Sequence, residues 1–139
     1  MTGPTVLVVD DQPMTLYLLS FLLSAHGYDA VTAADAHEAL DAIDRKRPAL
    51  ILMDMQMPEI DGFELTGRLK ADPATASIPI VAVTSFAMSG DRERALAAGC
   101  DGYIPKPIDT RSLPGEVAAY LSEADRARLA GPMHERPAG

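Results

Sequence analysis

The sequence has one cysteine, no tryptophan and few aromatic residues, which make up 5% of its 139 residues. Because a disulfide needs two thiols, the lone Cys100 cannot form one within the chain. The scarcity of aromatic rings disfavours a base-stacking surface for nucleic acid. Basic residues number 12 against 20 acidic ones, for a formal net charge of -8. Since binding to a phosphate backbone depends on clustered Lys and Arg, we expect no nucleic-acid partner.

Long apolar runs are also missing. No stretch has the length and composition of a membrane span or a secretory signal, so we expect a cytoplasmic protein with no membrane insertion. The length suits a single domain. We expect this domain at residues 1–123, followed by a frayed helix end and a short polar tail at 124–139, with no output domain.

Short apolar runs alternate with longer amphipathic stretches, which predicts a parallel sheet covered on both faces. The predicted strands are Thr5–Val9, Tyr28–Ala33, Ala49–Met53, Ile78–Thr84 and Gly102–Ile104. Five helices are predicted between and after these strands: Pro13–His26, Asp35 to about Arg47, Gly62–Lys70, Ser89–Ala98, and Leu113 to about Arg128. Asp35 and Glu38 form the capping box that opens the second helix. Five such repeats indicate a doubly wound α/β domain, whose ligands bind beyond the carboxyl ends of the strands.

Polar residues follow or end four of these strands: Asp10 and Asp11, Asp54, Thr84, and Lys106. Each has an ordinary explanation when taken alone, such as a helix cap, β propensity or a solvated surface lysine. Three neighbouring carboxylates, however, would repel one another by about 4 kcal/mol per close pair at an effective dielectric constant near 20. A divalent cation would offset this repulsion, and Mg²⁺ prefers oxygen ligands of this kind.

Asp54 therefore becomes a candidate nucleophile in a metal-bearing acidic pocket. A carboxylate can accept a phosphoryl group as an acyl phosphate, a reaction that depends mainly on positioning and charge stabilisation. Mg²⁺ would bridge one phosphoryl oxygen, Lys106 would contact a second and the Thr84 hydroxyl a third. Pro107 permits a cis bond after Lys106, which would aim the lysine inward, although trans is the usual isomer.

The stretches that carry these residues resemble response regulator receiver domains, the CheY-like partners of sensor histidine kinases. They are "VLVVDDQ", "LILMDMQMPEIDG", "VAVTS" and "GYIPKP", and the resemblance covers about Thr5 to Leu121. It implies a flavodoxin-like fold with strand order 2-1-3-4-5 and five helices. "VAVTSFAMSGDRERALAAGCDGYIPKPID" is especially similar to a single-domain regulator of bacterial cell-cycle control.

The resemblance also implies a role for each site residue. Asp54 would be the phosphoacceptor of a two-component phosphorelay, and Lys106 would contact the phosphoryl group. Asp11, Asp54 and the backbone carbonyl of Gln56 would bind Mg²⁺ directly, with Asp10 assisting through water. Thr84 and Tyr103 would form the switch pair that responds to phosphorylation.

A sensor histidine kinase or a histidine phosphotransfer protein would be the phosphodonor, so the chain would be a signalling domain, not an enzyme, with slow self-dephosphorylation. A downstream protein would bind the surface of the fourth helix, fifth strand and fifth helix, where Arg92, Glu93 and Tyr103 are candidate contacts. Ser85 departs from the family, which usually has alanine there, and we expect it to change the lifetime of the phosphorylated form. Gln56 and Phe86, at the same entrance, are further candidates for setting that lifetime.

Two alternatives share the α/β fold class. A haloacid dehalogenase-type phosphatase also phosphorylates an aspartate at a strand end, but it usually carries a second aspartate two residues later as general acid. This chain has Gln56 there, so a leaving alkoxide would go unprotonated. A flavin-binding module would need a Ser, Thr or Gly-rich loop after the first strand, where "DDQPMTL" instead offers repelling carboxylates.

Overall fold

The structure, a computed structural model, describes residues 3–57, 60–84 and 89–127, and for residues 89–91 the backbone alone. One sheet of five parallel strands has the order β2-β1-β3-β4-β5, which confirms the predicted fold class. The strands are β1 (Thr5–Val9), β2 (Asp29–Ala33), β3 (Leu50–Asp54), β4 (Ile80–Thr84) and β5 (Gly102–Pro105).

The five predicted helices are present, and a short sixth one follows them within the described residues. They are α1 (Pro13–Ala25), α2 (Ala36–Arg45), α3 (Gly62–Ala71), α4 (Ser89–Ala98), α5 (Leu113–Ala119) and α6 (123–127). The predicted start of α2 is confirmed, since the Asp35 carboxylate accepts a hydrogen bond of 2.8 Å from the Glu38 N–H. Gly27 and Gly99 follow the ends of α1 and α4 with φ of 92° and 114°, a conformation that favours glycine.

The prediction of one continuous helix from Leu113 to about Arg128 is wrong. Helix α5 ends at Ala119, and Leu121 turns into the core, where it is 4% exposed. Ser122 then starts α6, because its hydroxyl accepts a 3.1 Å hydrogen bond from the Asp125 N–H. Serine with an acidic residue three positions later is a helix N-terminus signature, so this break has a local cause in the sequence.

Two apolar layers enclose the sheet, one on each face. All residues of β1, β3 and β4 are buried, as expected for central strands of a parallel sheet. Alternate β1 side chains join opposite layers, with Leu7 and Val9 on the side of α2, α3 and α4 and Val6 and Val8 on the side of α1 and α5. In the described part of the chain, no helix combines the length and apolar character needed to cross a bilayer.

Candidate functional site

The register between β1 and β3 brings three carboxylates together at the carboxyl edge of the sheet. Val9 pairs with Met53, so Asp10 and Asp54 each come one position beyond this pair. Asp10 is 1% exposed and Asp54 4%, whereas Asp11 faces solvent. Each of the three aspartates offers a carboxylate oxygen within 4.8 Å of the others. The acidic cluster expected from the sequence is therefore present, with two of its members buried.

The next two strands bring a hydroxyl and an ammonium to the same edge. Thr84 comes one position beyond the pair Asp54 and Val83 of β3 and β4. Lys106 comes one position beyond the pair Thr84 and Pro105 of β4 and β5. The Lys106 ammonium lies 2.8 Å from an Asp10 oxygen and 4.0 Å from an Asp54 oxygen, and its side chain is 15% exposed. The peptide bond after Lys106 is cis, the isomer that the sequence permitted but did not require. The Lys106 ammonium therefore faces both buried carboxylates at these distances.

Two backbone amides orient the buried carboxylates. The Gln12 N–H donates to Asp10 Oδ1 at 2.9 Å, and the Gln56 N–H donates to Asp54 Oδ1 at 3.1 Å. In both cases the donor lies two residues after the aspartate, where the chain leaves its strand. The role of Gln12 cannot be predicted from the sequence, because a backbone contact leaves no signature in the side-chain type.

Burial raises the pKa of Asp54 from an ordinary value of 3.8 to about 6. The Gln56 N–H acts against this shift, the neighbouring charges of Asp10 and Asp11 add to it, and the charge of Lys106 opposes it. Loss of hydration is therefore the main reason that ionised Asp54 is unfavourable here.

Gly62, the first residue of α3, lies directly against the end of the strand that bears Asp54. A Cβ atom at this position would lie 2.4 Å from the Asp54 carbonyl oxygen and 2.7 Å from the Met55 Cα. The Gly62 N–H also donates to the Met55 carbonyl at 3.2 Å. The glycine in the motif therefore has a steric function close to the site.

Thr84 and Tyr103 occupy the adjacent strands β4 and β5. Thr84, the last residue of β4, is 2% exposed, and Tyr103 is half-buried against the core layer of α2, α3 and α4. The predicted lifetime residues Ser85 and Phe86 lie outside the described residues, as does Pro58 of the acceptor motif.

The donor set fits a hard divalent cation. Three carboxylates with oxygens inside a 4.8 Å span provide the ligand type that Mg²⁺ prefers. Among the described residues at this edge, one ammonium accompanies three carboxylates, which leaves excess negative charge for a cation to neutralise. The acidic cluster could therefore bind a metal ion of this class.

Comparisons with known proteins agree with this geometry. The model of the response regulator receiver domain family matches residues 6–118. The polar-differentiation response regulator DivK of Brucella anthropi is 42% identical over 120 residues, which cover 86% of this chain and 98% of that protein. DivK of Brucella ovis is 41% identical, with the same coverage.

Solved structures of similar fold include the chemotaxis protein CheY4 of Vibrio cholerae, with a TM-score of 0.81, 28% identity, and coverage of 86% of this chain and 100% of that one. The receiver domain of the sensor histidine kinase PA1611 from Pseudomonas aeruginosa has a TM-score of 0.78 and 32% identity, and the match covers 86% of this chain and 98% of that one. That structure is described with a magnesium ion coordinated in the active site cleft.

The haloacid dehalogenase alternative has no support in these matches, which run through the acceptor motif and continue across β4 and β5. Relatives above 40% identity over most of the chain are response regulators, and the similar solved chains include receiver domains. The chain belongs to the response regulator receiver domain family and is a signalling domain of two-component systems.

Proposed function

We propose that Asp54 accepts a phosphoryl group from a phosphohistidine donor in a Mg²⁺-dependent reaction. One observation carries this proposal. Asp54 is a buried strand-end carboxylate within 4.8 Å of two others, and the Lys106 ammonium lies 4.0 Å from it. Family membership makes a sensor histidine kinase or a histidine phosphotransfer protein the donor.

The reaction needs few chemical groups, because its transition state spreads charge over the phosphoryl oxygens. A carboxylate oxygen of Asp54 attacks phosphorus, the P–N bond breaks, and the donor imidazole, protonated on its other nitrogen, leaves as a neutral group. Lys106 contacts one phosphoryl oxygen as a compact cation, and the Thr84 hydroxyl donates to another. The Gln56 N–H, 3.1 Å from Asp54 Oδ1, orients the carboxylate.

Asp11, Asp54 and the backbone carbonyl of Gln56 would hold Mg²⁺ directly, and Asp10 would assist through water. When bound, the ion supplies positive charge that reduces repulsion between the carboxylates and the incoming phosphoryl oxygens. Asp10 is better suited to the indirect role because its carboxylate already contacts Lys106 at 2.8 Å and the Gln12 N–H at 2.9 Å.

Phosphorylation would change the surface formed by α4, β5 and α5 through the pair Thr84 and Tyr103. The hydroxyl turns toward the phosphoryl group and the ring of Tyr103 turns further inward. This ring is half-buried in the structure and one side of it contacts the core. A downstream protein would read this surface, including Arg92 and Glu93, and slow attack by water on the acyl phosphate would reset it. The cytoplasmic location and the domain limits of 1–123 and 124–139 stay predictions.

Intact mass after incubation with acetyl phosphate tests the proposal. We expect the wild type to gain the mass of one phosphoryl group in Mg²⁺ and none in EDTA, and Asp54→Asn to gain none in either. Asp41→Asn, an exposed helix aspartate, is the matched control and should behave as the wild type does. Equal labelling of Asp54→Asn and wild type would show that the acceptor is elsewhere, and equal labelling in EDTA would remove the metal from the reaction.

A further inference from the structure

Helix α4 packs on the rest of the domain through a small apolar surface. Among the side chains that the structure describes between positions 92 and 98, Ala95 is the one that is fully buried, and Leu96 is 44% exposed. Helix α3, by comparison, buries the larger side chains Leu65 and Leu69. Because burial of an alanine side chain removes little apolar area from water, few contacts determine where α4 lies.

Arg94, next to Ala95, makes one of these contacts with α3. Its guanidinium carbon lies 4.2 Å from the centroid of the Phe63 ring, within the range of a cation–π interaction. Phe63 is half-buried and packs against the core layer of α2, α3 and α4, whereas Arg94 is exposed. The charged side chain of one helix therefore covers an aromatic ring of the other.

The position of Phe63 is fixed relative to the strand that bears Asp54. Phe63 follows Gly62, the first residue of α3, and the Gly62 N–H donates to the Met55 carbonyl at 3.2 Å. The backbones are in close contact here, since a Cβ at Gly62 would lie 2.4 Å from the Asp54 carbonyl oxygen. The ring therefore stays with the acceptor strand, whereas Arg94 belongs to α4.

We propose that the contact between Arg94 and Phe63 restrains α4 in the unphosphorylated conformation and so opposes phosphorylation of Asp54. The inference rests on the proposed function, in which phosphorylation changes the surface formed by α4, β5 and α5. Helix α4 is the next element after β4, which ends at Thr84. A shift of α4 relative to α3 separates the guanidinium from the ring, and the attraction is lost beyond about 6 Å.

The contact occurs together with two features of the conformation that precedes the switch. The Lys106 ammonium is paired with Asp10 at 2.8 Å and lies 4.0 Å from Asp54. The Tyr103 ring is half-buried, whereas the proposed switch turns it further inward. The restraint therefore stabilises the conformation that phosphorylation would leave.

Thermodynamic linkage gives the sign and the size of the effect. An interaction that is present in one conformation and absent from the other weakens a ligand that requires the second conformation by the same factor. A cation–π contact at an exposed site changes an equilibrium constant about 2–5-fold. Removal of either partner should therefore tighten the binding of a phosphoryl analogue by about this factor.

Titration calorimetry of the full chain with beryllium fluoride, an analogue of the phosphoryl group, tests this inference in Mg²⁺. We expect Arg94→Gln to lower the dissociation constant about 2–5-fold. Arg68→Gln is the matched control and should leave the dissociation constant unchanged, because this exposed arginine pairs with Glu64 of its own helix at 2.8 Å. Circular dichroism verifies that both variants fold.

A double-mutant cycle separates the contact from other effects of each substitution. Phe63→Leu removes the ring but keeps an apolar side chain, so it should lower the dissociation constant by about the same factor as Arg94→Gln. The double variant should bind no more tightly than either single variant, because both changes remove one and the same contact. Additive effects would show that the two residues act independently and would overturn the proposal.

Equal dissociation constants for the wild type, Arg94→Gln and Arg68→Gln would also overturn the proposal. Weaker binding by Arg94→Gln would overturn it too, since the contact would then favour the phosphorylated conformation. None of these results bears on Asp54, which the same titrations test separately: the wild type should bind beryllium fluoride and Asp54→Asn should not. Equal binding by these two proteins would refute the role of Asp54, and the proposed restraint with it.

Discussion

Asp54 is ionised at neutral pH in a position where the folded protein disfavours its charge, and Asp54→Asn removes that charge without changing the shape of the side chain. The pKa rises from 3.8 to about 6, mainly because of burial. Since one pKa unit corresponds to about 1.36 kcal/mol, ionisation of Asp54 destabilises the folded state by about 3 kcal/mol near pH 7. The asparagine oxygen can still accept the hydrogen bond from the Gln56 N–H. We therefore expect Asp54→Asn to be more stable than the wild type by about 3 kcal/mol in EDTA near pH 7.

The direction of the pH dependence follows from the raised pKa. Below pH 3.8 the folded and unfolded states both bind the proton, so the penalty is absent. Between 3.8 and about 6 the folded state retains a proton that the unfolded state has lost, so stability falls as pH rises through this window. The advantage of Asp54→Asn should therefore shrink from about 3 kcal/mol near pH 7 to about 1 kcal/mol near pH 4.5.

Urea denaturation of both proteins in EDTA, at these two pH values, measures the difference. Asp41→Asn, an exposed aspartate of α2, is the control and should change the free energy of unfolding by less than about 0.5 kcal/mol. Addition of Mg²⁺ should narrow the gap, because the ion binds the acidic cluster more tightly when Asp54 is charged. An Asp54→Asn protein no more stable than the wild type in EDTA near neutral pH, or a gap independent of pH, would refute this account of the site.

Two substitutions and one thiol-labelling experiment test the geometry further. Lys106→Met leaves the carboxylate of Asp10, which is 1% exposed, without its cation, and urea denaturation in EDTA should show a loss of stability of about 3 kcal/mol. Mg²⁺ should restore part of this stability, and an equal loss with and without Mg²⁺ would argue against a site shared by the lysine and the metal. Gly62→Ala places a Cβ 2.4 Å from a backbone oxygen and should destabilise the protein by about 1–3 kcal/mol, whereas Gly67→Ala, where a Cβ on the same helix meets no atom within 4 Å, should stabilise it by about 0.5–1 kcal/mol. Thermal melts measure both changes, and effects of the same sign would contradict the packing around Gly62. Burial raises the pKa of the Cys100 thiol, so Ellman's reagent should label this cysteine only as urea unfolds the protein. Rapid labelling of the native protein would contradict the burial of Cys100.

The sequence was sufficient to predict the sheet and the edge that carries the site. The apolar runs of β1, β3 and β4 are buried on both faces, so their positions follow from composition alone. Once the strands are parallel, polar residues after their carboxyl ends must meet at one edge. This is why Asp10, Asp54 and Lys106 could be grouped before any distance was known.

Other features depend on contacts that residue type does not specify. The amide of Gln12 orients Asp10 through the backbone, and any residue except proline could donate that hydrogen bond. The end of α5 was missed because the helical pattern continues through Leu121, while the packing of that leucine and the Ser122 cap divide the segment. The exposure of Met14, Tyr17 and Phe21 on α1 also does not follow from the sequence, since an apolar helix pattern does not by itself distinguish core positions from solvent-facing ones.

The charge balance at the sheet edge connects stability with signalling. Ionised Asp54 destabilises the folded state, and Lys106, which contacts Asp10 at 2.8 Å and lies 4.0 Å from Asp54, compensates only part of that cost. A phosphoryl group or a divalent cation at Asp54 would change this balance at the edge where β1, β3 and β4 end. Because these strands are close-packed on both faces, they cannot adjust by more than small shifts. A response would therefore fall on the loops that leave this edge and on the helices that follow them.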